Sequence, residues 1–139
     1  MKNPLVRPLE NGSDWQLEEN YIYPLNNQTI FIPRGFIFDY ASIPRIAWRL
    51  FPPATGRHRV PSLIHDWLCA TGRVSWKEAA NIFLYAMEEA KVIAWKRYSI
   101  YFAVRLFGPF HTPDKRKERL LVLQQAEVMQ AEIYYPNIL

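Results

Sequence analysis

The sequence predicts an α+β fold: a small N-terminal antiparallel sheet of about three strands, followed by a bundle of about four to five helices. Three observations lead there. Between Trp15 and Phe38, short apolar runs are separated by turn residues with no room for a crossover helix, which disfavours parallel pairing. Beyond Ser42 the apolar spacing lengthens to that of helices, and Ser75-Trp76-Lys77-Glu78 forms a capping-box pattern. No Gly/Ser linker or internal repeat divides the 139 residues. Residues 1–139 therefore read as one domain, with a β meander over 15–41, a helical part over 42–133 and a tail over 134–139.

Taken in order, Trp15, Leu17, Tyr21 and Tyr23 share one parity and predict a half-buried strand. Asn26-Asn27 supplies a turn, Gln28 to Ile32 a second strand, and Pro33-Arg34-Gly35 a bend before a third short run, Phe36 to Phe38. Ser42 caps a short helix with Pro44 in its first turn and Ile46, Ala47 and Leu50 facing inward; Phe51-Pro52-Pro53 ends it. The loop Ala54 to Arg59 leads to Pro61, which opens a helix bearing His65 and Asp66 that Gly72 closes. The helix opened by Ser75 runs to about Ala90 with Ala79, Ile82, Phe83 and Ala86 on one stripe. Another spans about Ala94 to Phe107, and Thr112-Pro113-Asp114 caps a last one reaching about Glu132.

Half of the residues are apolar and 15% are aromatic, which argues against wholesale disorder. The single Cys69 rules out an intramolecular disulfide framework and suits a reducing compartment. A net charge of +4 gives only a mild attraction to phosphates, nucleic acid or anionic lipid. The N-terminus has no apolar run suited to a signal peptide, and the greasiest segment, Tyr98 to Phe110, is interrupted by Arg105 and too short to span a bilayer. The expectation is a soluble chain made in the cytoplasm, with export possible only by another route.

The chemistry concentrates between Phe38 and Cys69. Asp39 ends an apolar run, Ala41-Ser42-Ile43-Pro44-Arg45 follows, and His65-Asp66 sits in the greasy helix Leu63-Ile64-His65-Asp66-Trp67-Leu68-Cys69. An imidazole or carboxylate withdrawn from water loses several kcal/mol unless it is hydrogen-bonded, ion-paired or bound to metal, so the pair needs partners, and Asp39 is the nearest upstream candidate. Four readings are open. Asp66 and Asp39 hold a divalent cation such as Ca²⁺ while His65 deprotonates a water. His65 binds Zn²⁺ with Asp39 and His58, one protein ligand short of an ordinary structural site. Cys69, one turn after His65, is a nucleophile with His65 as its base. Or the pair is structural, Asp66 tying down the Ser42–Arg45 turn or pairing with Arg45, and His65 filling a polar niche. His58, between Arg57 and Arg59, reads as a solvated loop residue.

A nucleic-acid surface would use Trp95-Lys96-Arg97-Tyr98 and the basic turn from Lys115 to Arg119, but interspersed glutamates and the lack of a reader module weigh against it. An HD-type phosphohydrolase takes its ligands from an all-helical bundle, whereas the residues before His65 are largely strand-like.

The segments Gly35-Phe36-Ile37-Phe38-Asp39-Tyr40-Ala41-Ser42-Ile43-Pro44-Arg45, Ile64-His65-Asp66-Trp67-Leu68, Glu78-Ala79-Ala80-Asn81-Ile82-Phe83 and Ala103-Val104-Arg105-Leu106-Phe107-Gly108 resemble a family of uncharacterised proteins encoded by tailed phages and prophages, over about residues 15 to 108. The resemblance implies a phage or prophage origin, near tail or lysis modules. The His65-Asp66 pair also resembles, more distantly, the site of secreted phospholipase A2, in which the His activates water and the Asp holds Ca²⁺. Here Cys69 stands where that plan has a tyrosine and Asn81 where it has an aspartate.

These readings combine into a phage-encoded protein associated with a virion or tail, with a hydrolytic site against host envelope material. Its catalytic residues are His65, Asp66 and Asp39; Ser42, Arg45, Asn81 and Cys69 support them, and Asp39 and Asp66 are the metal ligands, for calcium before zinc. The expected partners are other virion or tail proteins, or further copies of the chain, since Tyr134-Tyr135 and the Pro-rich start suit packing against a neighbour. The alternatives are a non-catalytic assembly protein and a binding module that inhibits a host factor.

Overall fold

The structure is a computed structural model and describes residues 1–12, 14–39, 49 and 56–107. These residues fall into two compact units, one of strands over Lys2–Ile37 and one of helices beginning at Phe38.

In the strand unit, β1 (Val6–Pro8) pairs antiparallel with β2 (Trp15–Leu17), in the register Val6 to Leu17 and Pro8 to Trp15. Pro8 lacks an amide hydrogen, and β1 lies at the edge of its sheet, where that loss is tolerated. The intervening loop is tied by Asn11, whose Oδ1 accepts from the Asp14 amide at 3.0 Å. A hairpin follows, β3 (Tyr21–Leu25) against β4 (Gln28–Ile32), turning at Asn26, whose φ of 50° is left-handed. Asn tolerates that conformation better than most residues. Tyr21 and Tyr23 are buried while Ile22 and Pro24 are exposed, the alternation of a half-buried strand.

β5 (Ile37–Phe38) joins β2, giving a three-stranded sheet in the order β1-β2-β5 beside the separate β3-β4 pair. The join is made at Leu17, whose amide donates to the Phe36 carbonyl at 2.9 Å and whose carbonyl accepts from the Gly35 amide at 2.8 Å. Gly35 has a φ of +92°, which L side chains rarely adopt.

The helical unit contains α1 (Arg59–Thr71), α2 (Trp76–Glu89) and α3 (Ala94–Phe107), with α2 packed against both others. α1 is buried nearly all round, from Val60 through Leu68 and again at Ala70. Gly72, left-handed at φ 64°, ends it by returning its amide to the Leu68 carbonyl at 3.1 Å. Ser75 caps α2 by accepting from the Glu78 amide at 3.2 Å. The α2 C-terminus closes as a Schellman motif: the Val92 amide reaches the Met87 carbonyl and the Lys91 amide the Glu88 carbonyl, both at 2.9 Å, with Lys91 left-handed at φ 56°. Val92 and Met87 are both buried in a cluster with Ala80, Phe83, Ile100 and Val104. Arg57 Nη1 donates to the Lys91 carbonyl at 3.1 Å and so holds the loop before α1 to the α2–α3 corner.

The expected architecture is corrected in two respects. Among the described residues there are three helices, not four to five. The helices expected from Ser42 and from Thr112 to Glu132 lie outside the described residues. Among the described residues the sheet region holds five strands in two sheets rather than a three-strand meander, because Glu18-Glu19-Asn20 breaks the run from Trp15 to Tyr23 and lets β2 pair with β1 and β5 instead of β3. The Asn20 side chain accepts from the Arg34 amide at 2.8 Å, fixing both bends together. No helix among the described residues is long and apolar enough to cross a membrane.

Two substitutions test the positive-φ positions. An added Cβ at Gly35 meets no atom within 4 Å, so Gly35→Ala is expected to cost about 1–2 kcal/mol through backbone strain alone. Lys91→Gly relieves the same strain and should stabilise by about 0.5–1 kcal/mol. Urea unfolding of both variants measures the pair; a stabilising Gly35→Ala would refute the assigned turn.

Candidate functional site: a polar stripe on a buried helix

His65 and Asp66 lie in the middle of α1, His65 with 0% and Asp66 with 8% of its surface exposed. They are not alone. His58, at the N-cap of α1, is 1% exposed, and Ser62 is 0% exposed. At about 100° per residue, positions 58, 62, 65, 66 and 69 fall within an arc of roughly 100°, so His58, Ser62, His65, Asp66 and Cys69 form one polar stripe along the helix. Val60, Leu63, Ile64, Trp67 and Leu68 occupy the other side.

The expectation that His58 is a solvated loop residue is thus overturned. Its imidazole folds back over Gly56, where an added Cβ would stand 3.3 Å from His58 Cε1 and Nδ1. Its carbonyl accepts from both the amide and the hydroxyl of Ser62, at 2.9 and 2.8 Å. Two flanking arginines hid this. The spacing of 58, 62, 65 and 69, a helical repeat of polar residues in an otherwise apolar segment, was the signal that could have found it.

α2 supplies two rings to His65. Trp76 meets it edge-on, with ring centroids 5.3 Å apart and planes at 86°, and Phe83 lies 5.0 Å away, tilted by 34°. On α1 itself, Cys69 Sγ is 3.5 Å from His65 Nε2 and 3.8 Å from Nδ1. A thiol poised to give its proton to one nitrogen lies in line with that nitrogen's lone pair and much farther from the other. The near-equal distances place the sulfur alongside the ring instead, which is contact geometry rather than that of a nucleophile and its base.

The other expected site residues are distributed as follows. Asp39 comes directly after β5, half-buried, in the same compact unit as α1. Asn81 is exposed on α2, and its Oδ1 accepts from the Tyr101 hydroxyl at 3.0 Å, tying α2 to α3. Ser42 and Arg45 lie outside the described residues. Among the described residues, no three His, Cys, Asp or Glu side chains are grouped as a metal site would require.

A family model described as a protein of unknown function (DUF1353) matches residues 15–104, from β2 into α3. The chain belongs to the DUF1353 family. The matched span of this DUF1353 chain holds Asp39, the whole polar stripe and the α2 rings around His65. An uncharacterized protein of Sinorhizobium fredii (strain NBRC 101917 / NGR234), y4jT, is 34% identical over 86 residues, which are 61% of this chain and 26% of that protein. The chain therefore spans about a quarter of that relative's length. No solved structure matches it.

The site geometry is open to mutation. Phe83 is 0% exposed and touches His65, so Phe83→Ala should cost about 3–5 kcal/mol. Asn81→Ala removes one exposed hydrogen bond and should cost about 1 kcal/mol or less. In a phospholipase-like arrangement Asn81 would orient His65 instead. A thermal-denaturation series in which Asn81→Ala is the more damaging change would reverse the assignment.

Proposed function

We propose that this DUF1353 chain is a phage- or prophage-borne, non-catalytic assembly protein of a virion or tail, in which the His65-Asp66 pair is a buried polar clamp. The origin and setting rest on the motif resemblance, from the Gly35–Arg45 segment through His65-Asp66-Trp67-Leu68. One observation carries the clamp: His65 has no exposed surface and is walled by Trp76, Phe83 and Cys69. A general base must come within hydrogen-bond reach of a water or substrate, and a residue so enclosed serves packing and polar specificity better than turnover. Its partners are then other virion or tail proteins, or further copies of the chain.

The hydrolytic reading keeps a narrower basis. Asp66 retains 8% exposure and belongs to the same unit as the half-buried Asp39, so these two carboxylates are the pair that would hold a divalent cation, calcium before zinc, for attack on envelope esters.

Turnover and stability separate the two readings. With calcium added, purified wild type should release no product from phospholipid vesicles or peptidoglycan, while His65→Ala should lose about 2–4 kcal/mol of folding stability. Wild-type turnover that disappears in a His65→Ala protein of unchanged melting temperature would establish the hydrolase instead.

A further inference from the structure

We draw no further inference here: the strongest candidate, the exposed apolar row of Trp95, Tyr98, Phe102 and Leu106 along the surface of α3, carries none, since nothing in the structure shows what covers it.

Discussion

The helical unit depends on α1 being buried on every side while carrying a stripe of polar residues. Taking an imidazole, a hydroxyl and a carboxylate out of water is tolerable only where their surroundings meet their hydrogen-bonding and electrostatic needs. That requirement constrains the neighbouring elements. A Cβ at Gly56 would press on the His58 ring at 3.3 Å, the His58 carbonyl must stand where Ser62 reaches it, and α2 must present flat rings to His65. A one-residue shift of α2 along α1 would carry Trp76 and Phe83 off the imidazole, so the polar stripe specifies alignment as well as occupying space. Arg57 adds to this by joining the start of α1 to the corner after α2.

The ion pairs of the strand unit do a different kind of work. Lys2 with Glu19 and Arg7 with Glu18 are close, at 3.1 and 3.0 Å, but exposed, and such pairs contribute little to stability. Leu17 matters more there, being fully buried and bonded at both its amide and its carbonyl to the Gly35–Phe36 segment. On α3 the imbalance is reversed: a narrow buried line at Ile100 and Val104 and a broad apolar row left outside, an arrangement that internal packing does not require.

Much of the fold was legible. The α2 and α3 boundaries follow from Ser75, Ala94 and the apolar stripes, and the hairpin follows from Asn26-Asn27 between two strand-like runs. β1 was not legible, because Val6-Arg7-Pro8 is too short for any period to register and is a strand only through its pairing with β2. The split between β2 and β3 was missed because Trp15, Leu17, Tyr21 and Tyr23 keep one parity across a break made by Glu18-Glu19-Asn20. At the site, His65 and Asp66 stood out as polar residues in a greasy helix, whereas His58 was concealed by its arginine neighbours.

Local chemistry alone determined where α2 begins and ends, where α3 begins, that Asn26-Asn27 turns, and that α1 would carry polar groups into an apolar setting, since caps, left-handed residues and periodicity act over a few residues. Tertiary structure decided what those polar groups meet. Whether an imidazole faces water, a carboxylate or two aromatic rings depends on side chains distant in the chain, and which strand pairs with which depends on where each bend aims the backbone. Sequence proximity encodes neither.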